Sequence, residues 1–404
     1  MKFNKLYGFL NRIVTIKEVK YDNEIIKYDS DNKFPQNLIR IIGESGTATS
    51  CINALVHYGY ADGLVDESLG KTMANETQTF NEVVEDLFWQ QFYFGGEALH
   101  VKRDTGGNIV SVKAIPFENI RKTKTHLIYN PTFSSSYDSN QDCKYPYFVG
   151  VKATPEQLSE IAQYTNNDGK TVGEILYYFK KKPGQHIYPI PNYHSAISDI
   201  ETDGEHSKYE LESVNNSFLP SGILTLVGEI DNETTDERGN TEQDNISELL
   251  EGFTGNVKDS KGESGRNKLL VLNAKTKDEV AVYQPISNEG ILTAVDTATT
   301  RISNKVARAF GVPTFIIGLG GNVGFATNIV ADNITLFNNR INKIQINTVS
   351  PLKMCFPDKD FTMTQLTPIK NIDPNLLEVL TPNEKRELLG YKPLENGSIQ
   401  TPSN

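Results

Sequence analysis

In the second half of the chain, three stretches at about 193–216, 289–310 and 328–347 space their apolar residues three or four apart. A strand turns alternate residues to opposite faces and cannot hold such a stripe on one side, whereas a helix brings it round every turn. In the first stretch the series is Tyr193, Ile197, Ile200, Gly204, Ser207, Leu211, Val214 and Phe218. Its period near 3.5 suits a helix that packs along its length against neighbours, although Gly204 weakens the middle of the seam. The other faces carry Asp199, Glu201, Asp203, Glu205, Glu210 and Glu212 against a single Lys208. The second stretch shows Ile291, Val295, Ala298, Ile302, Val306 and Ala309, then stops at Gly311 with Pro313 beyond. The third shows Val330, Ile334, Phe337, Ile341 and Ile344. A glycine-rich link, Ile317-Gly318-Leu319-Gly320-Gly321-Asn322-Val323-Gly324, joins the second to the third.

The first half mixes helix and strand. Phe80, Val83, Val84, Leu87 and Phe88 predict a helix over 76–92 that ends at Gly95-Gly96. Strands Ala98–Arg103 and Ile109–Ile115 flank Asp104-Thr105-Gly106-Gly107-Asn108, which is hairpin chemistry. Tyr145–Val151 and Ile175–Lys180 are also prone to strand, and residues 131–142 read as a surface loop. Thr154-Pro155-Glu156-Gln157 forms a capping box with proline at the first helical position. Between the first and second long helices lies a module that opens with Phe218-Leu219-Pro220-Ser221-Gly222-Ile223-Leu224. It continues through an acidic stretch at 229–245, a short helix near 246–252, and a loop with Lys258, Lys261, Arg266 and Lys268. Strands Leu269–Leu272 and Val280–Tyr283 close it. Near the end, Thr381-Pro382-Asn383-Glu384 opens a last helix that stops at Gly390. The pattern is that of an α+β fold with more than one lobe, as 404 residues allow.

Composition removes several functional classes. With 38% hydrophobic and 23% charged residues, the chain is neither disordered nor collagen-like. Apolar runs such as Phe315-Ile316-Ile317 fall far short of the roughly 20 residues that cross a bilayer, so no membrane partner is expected. Lys2, Lys5 and Arg12 are not followed by the apolar stretch of a secretory signal. Cys51, Cys143 and Cys355 are odd in number, lack a CxxC pair, and suit reduced thiols in a cytosolic setting. A net charge of −11 argues against a protein that grips DNA with a broadly basic surface. Contact with nucleic acid must then be loose, local or repulsive.

Catalytic motifs are missing as well. The six histidines form no HExxH and no zinc-spaced cluster, and His194 and His206 are not at i, i+4. No G-x-S-x-G elbow occurs. Gly318, Gly320 and Gly324 miss the G-x-G-x-x-G spacing because position 323 is Val, no Gly-Lys-Ser/Thr follows, and a helix precedes them. A flexible loop between long helices is the favoured reading. The carboxylates of 193–216 suit a solvated acidic face better than an acid/base pair. Neither enzyme activity nor a cofactor or metal is expected. Arg301, Lys305 and Arg308 lie at i, i+4 and i+7 on one helix. They would touch DNA phosphates or pair across a subunit boundary with the acids of 193–216, and those acids favour the pairing.

The order of these parts resembles the portal proteins of tailed bacteriophages. Phe92-Tyr93-Phe94-Gly95-Gly96-Glu97-Ala98-Leu99-His100-Val101, the Gly106-Gly107-Asn108 turn and Ile115-Pro116-Phe117-Glu118-Asn119-Ile120 are similar to that family's wing hairpin. Asn216-Ser217-Phe218-Leu219-Pro220-Ser221-Gly222-Ile223-Leu224 resembles the entry to its clip, and Arg308-Ala309-Phe310-Gly311-Val312-Pro313 the end of its second stem helix. Leu380-Thr381-Pro382-Asn383-Glu384-Lys385-Arg386-Glu387-Leu388-Leu389-Gly390 is similar to its C-terminal ending. The segment 126–185 and the acidic 229–245 depart from the pattern.

The resemblance implies a wing over 1–189, a stem helix over 190–216, a clip over 217–286 and a second stem helix over 287–312. A tunnel loop over 313–327, a wing-return helix over 328–352 and a crown with C-terminal tail over 353–404 would complete the chain. It implies a ring of twelve at one capsid vertex, through which DNA is packaged and ejected. Its partners would be double-stranded DNA, the terminase large subunit, the major capsid protein and a head–tail adaptor, in the virion and in host cytoplasm during assembly. The tunnel loop would offer Leu319, Gly320, Gly321, Asn322, Val323, Gly324 and Phe325 to DNA, with Leu319, Asn322, Val323 and Phe325 at the narrowest point. The acids of 193–216 would line the channel, in a ring carrying roughly −130 if twelve copies of −11 assemble. Both long stem helices would then lie lengthwise against copies of themselves. An adaptor or baseplate ring is the alternative within the same class, and a nucleotide-using enzyme the alternative outside it.

Overall fold

The computed structural model describes residues 25–134, 137–166, 169–183, 187–216, 222–227, 269–274, 288–319, 327–366 and 380–388. The acidic stretch 229–245, the short helix 246–252 and the strand Val280–Tyr283 lie outside them.

Helix α1 (Phe34–Glu44) buries Phe34, Leu38, Ile41 and Ile42, which share one side of a helix. Ser45 ends it and starts α2 (Gly46–Tyr60), its hydroxyl accepting the Ala48 N–H at 3.0 Å. After α3 (Glu67–Lys71), α4 (Phe80–Phe94) begins in a capping box between Thr79 and Glu82. It ends at Gly95, whose φ of 78° is the left-handed conformation that glycine adopts without strain. Val83, Val84, Leu87 and Phe88 are wholly buried.

The expected hairpin follows as β1 (Glu97–Arg103) and β2 (Ile109–Ala114). A small sheet of β3 (Ile120–Lys122), β4 (His126–Tyr129) and β5 (Cys143–Pro146) comes next, then α5 (Pro155–Ile161) in its capping box of Thr154 and Gln157. Strand β6 (Glu174–Tyr178) returns to β1, so that the first sheet runs β2-β1-β6, antiparallel throughout. The run Tyr145–Val151 proves to be strand only at its start. Proline has no N–H to continue a ladder, and the strand ends at Pro146. Beyond it the backbone serves a buried ion pair instead. Arg103 Nε meets Glu174 Oε2 at 2.6 Å, Val149 N–H donates to Glu174 Oε1 at 3.0 Å, and the Gly150 and Val151 carbonyls accept from Arg103.

Helix α6 (Ile197–Asn216) leads to β7 (Gly222–Val227), which pairs in parallel with β8 (Leu269–Ala274). Helix α7 (Asn288–Phe310) then returns, and Gly311 closes it at a φ of 69°. Helix α8 (Thr327–Thr348), the short α9 (Ser350–Cys355) and α10 (Pro382–Leu388), again opened by its Thr381–Glu384 box, complete the described chain. One core joins Leu38, Ile52 and Val84 of the early helices to Ile200, Val306, Phe337 and Ile341 of the late ones. Cys51 and Cys355 are buried free thiols, and burial pushes each up to about 12.

Candidate functional site

The crossing of α6 and α7 over α1 and α2 gathers Asp199, Glu201, Asp203, Glu205 and Lys305 of the residues singled out in the sequence. Lys305 Nζ meets Asp199 Oδ1 at 3.0 Å, and Ser303 Oγ meets Asp203 Oδ1 at 3.3 Å. The first number rises as the second falls, so the helices are antiparallel. Ile200, Ile302 and Val306 are buried between them and the early helices. Gly204 does more than weaken a seam, because α6 passes so close to α1 that a Cβ there would lie 3.0 Å from the Glu44 carbonyl.

Asp203 requires a correction. Its carboxylate is buried, 7% exposed, and so cannot line a channel. Ser45 Oγ donates to it at 2.6 Å, Thr47 Oγ1 at 3.2 Å, and the Thr47 N–H at 3.3 Å. An anion at the first turn of α2 is where helix dipole and free N–H groups favour one. The other acids are not bare either. Asp199 holds Lys305, Glu201 lies 3.7 Å from Arg40, and Glu205 lies 2.9 Å from Lys208. Glu44 of α1 joins Arg40 and Lys208, and those two hydrogen bonds lower its pKa. Glu210 is exposed on α6, while the Glu212 side chain lies outside the described set. Of the acids expected to line a channel, four are thus engaged within the chain. Ser45, Thr47, Ser303 and Arg40 escaped sequence reading, for they sit far away in the chain. A signal existed for Asp203: it follows Ile200 by three and precedes Ser207 by four, on the edge of the apolar stripe.

A second correction concerns the basic stripe. Lys305 pairs with an α6 acid, as its charge suggests, but within one chain and not across a boundary. Arg301 and Arg308 are exposed and have no carboxylate partner among the described residues. With Thr297, Thr300, Asn304 and Lys305 they line an open concavity of about 710 Å³ on the outer side of α7. Guanidinium, hydroxyl and amide groups side by side suit an anionic partner, phosphate or carboxylate.

The loop after α7 is described up to Leu319, which is 39% exposed. Gly320, Gly321, Asn322, Val323, Gly324 and Phe325 lie outside the described residues, as do Lys258, Lys261, Arg266 and Lys268. The base of that loop is tied down by α8. Arg340 donates to the carbonyls of Phe310 and Gly311, each at 3.2 Å, and so caps the C-terminus of α7 with a cation. Among the described residues no cluster of His, Cys, Asp and Glu could hold a metal, and no helix is long and apolar enough to cross a membrane.

Solved structures similar to this chain include a chain from the neck of an empty gene transfer agent (GTA) particle computed with C6 symmetry. It is 14% identical with a TM-score of 0.48, over 90% of this chain and 95% of the other. A chain of the native GTA virion is 15% identical with a TM-score of 0.47, again over 90% and 95%. An HK97-family phage portal protein from Corynebacterium diphtheriae is 12% identical with a TM-score of 0.40, over 79% and 91%. Two are particle components and one is a portal protein. No protein-family model matches the chain, and no curated protein does.

Proposed function

We propose that the chain is a subunit of a portal-type connector, a ring that surrounds a passage for double-stranded DNA at one capsid vertex. The observation that carries this reading is the division of α6 into two halves. Up to Lys208 it touches the rest of the chain: Ile200 is wholly buried, Asp203 is held by α2, and Lys208 reaches Glu44 at 3.0 Å. Beyond, the same stripe continues in sequence through Leu211 and Val214, yet Leu211 is 62% exposed. An apolar residue left exposed on such a seam calls for another surface, and a copy of the same helix pair supplies one. The expectation that both stem helices lie along their whole length against copies is therefore narrowed, since the half near the core faces the chain itself.

The portal phrases in the sequence extend the reading to a ring of twelve, the terminase large subunit, the major capsid protein and a head–tail adaptor. Its place would be the virion, and host cytoplasm during assembly. In this reading Leu319 and the glycine-rich residues after it face the passing duplex, and Arg340 holds the base of that loop in place. With a net charge of −11 per subunit the ring would repel phosphate on the whole, although Asp199, Glu201 and Glu205 hold cations within the chain. Catalysis is no part of the role. Native mass spectrometry and electron micrographs of the purified chain should show closed rings with a central hole. A chain that stays monomeric at high concentration ends the proposal. An adaptor or baseplate ring would also close, but would not retain the terminase large subunit in a pull-down.

A further inference from the structure

Lys180-Lys181-Lys182 is the only run of three consecutive cations in the sequence, and all three are exposed just beyond β6. Lys180 Nζ donates to Asn347 Oδ1 of α8 at 3.4 Å, and Lys182 Nζ donates to Asn192 Oδ1. Behind them stands Lys122, whose ammonium lies 5.0 Å from the Tyr177 ring centroid and 5.4 Å from that of Phe179. It donates to the Ile187 carbonyl at 3.1 Å. Partial burial, with the charge of Lys181 added, lowers Lys122 to about 8.

From Asn347 the cations continue along one side of α8. Lys343 stands one turn back and Arg340 three residues before that, both exposed. None of Lys122, Lys180, Lys181, Lys182, Arg340 and Lys343 forms an ion pair among the described residues. The contrast with the α6–α7 crossing is sharp, for there Arg40, Lys208 and Lys305 each hold a carboxylate. Helix α8 contains one acid, Asp332, while Asn333, Asn339 and Asn342 add exposed amide donors. Cations gathered without carboxylates repel one another, and an anion lying across them relieves that repulsion.

Duplex DNA carries one charge per about 1.7 Å of its axis. Side chains three or four residues apart on a helix stand about 5–6 Å apart, which lets neighbouring cations reach neighbouring phosphates. Lysine, arginine and asparagine are the donors that hold a backbone without reading bases. We propose that the surface formed by residues 180–182, Lys122, Lys343 and Arg340 is a contact site for the phosphate backbone of duplex DNA. The inference rests on the connector reading for the source of the duplex, and adds local attraction to an otherwise acidic subunit.

Fluorescence anisotropy of a labelled duplex against the full chain, at a series of salt concentrations, tests it. The wild-type chain should bind with an affinity that falls as salt rises and ignores the duplex sequence. Lys181→Glu with Lys343→Glu should weaken binding by about tenfold or more and flatten the salt slope by about 1–2. Lys353→Glu, an exposed cation on α9, should change affinity by less than about twofold. Circular dichroism confirms that each variant is folded, and native mass reports its assembly separately. The proposal is overturned if the wild type does not bind, or if the double variant binds equally well. It is also overturned if that variant loses self-association at unchanged duplex affinity, which would give the surface to a second copy. A chain that binds duplex through these lysines but never assembles refutes the connector reading alone.

Discussion

Glu97, the first residue of β1, is 1% exposed, and neither carboxyl oxygen has a hydrogen-bond partner among the described residues. Burial pushes its pKa well above the usual carboxylate range, so the fold holds it neutral where the unfolded chain would ionise it. The stability tied to that neutral form is complete below the ordinary carboxylate pKa and is lost as pH rises toward the folded value. Glu97→Gln keeps the shape and removes the titration. Its melting temperature relative to wild type should therefore climb as pH rises above the ordinary carboxylate pKa, and parallel profiles would refute the assignment. Sequence alone could not separate Glu97 from any other acid in a strand. For Asp203 the edge of the apolar stripe marks only a candidate for burial, because exposure depends on what crosses the helix and not on the helix itself.

Elements were the most legible scale. The boxes at Thr154–Gln157 and Thr381–Glu384, the stop at Gly95 and the hairpin around Gly106-Gly107 all form as local chemistry dictates. Their hydrogen bonds close within a few residues, so no distant segment can override them. Strand Tyr145–Val151 stops at Pro146 for a local reason, and a distant one adds to it, since Arg103 and Glu174 claim the second half from elsewhere in the chain. The junction of α7 and α8 yields a paired test. Gly311 and Gly318 both have positive φ, at 69° and 76°. A Cβ on Gly311 would fall 1.3 Å from an Arg340 nitrogen, whereas nothing lies within 4 Å of one on Gly318. Gly311→Ala should cost about 1–3 kcal/mol, read as a shift in denaturant midpoint, and more than Gly318→Ala. Equal losses would mean that backbone conformation alone matters there and that Arg340 yields freely.

For the whole molecule, the question is what covers the outer half of α6. Leu211→Asp leaves the core untouched because Leu211 is 62% exposed and follows Lys208, which reaches Glu44 of α1. The variant should melt within a few degrees of wild type while losing its assembled form in native mass spectrometry. Assembly that survives the charge would move the subunit boundary elsewhere. The local pattern of the sequence determined that long helices, a hairpin and capped turns would form, and in what order, since each is closed by neighbours in the chain. Only the tertiary structure decided which acids are bare, which cations have no carboxylate beside them among the described residues, and where an apolar stripe comes to the surface. Those properties arise from residues more than a hundred positions apart: Ser45 against Asp203, Lys305 against Asp199, Lys180 against Asn347.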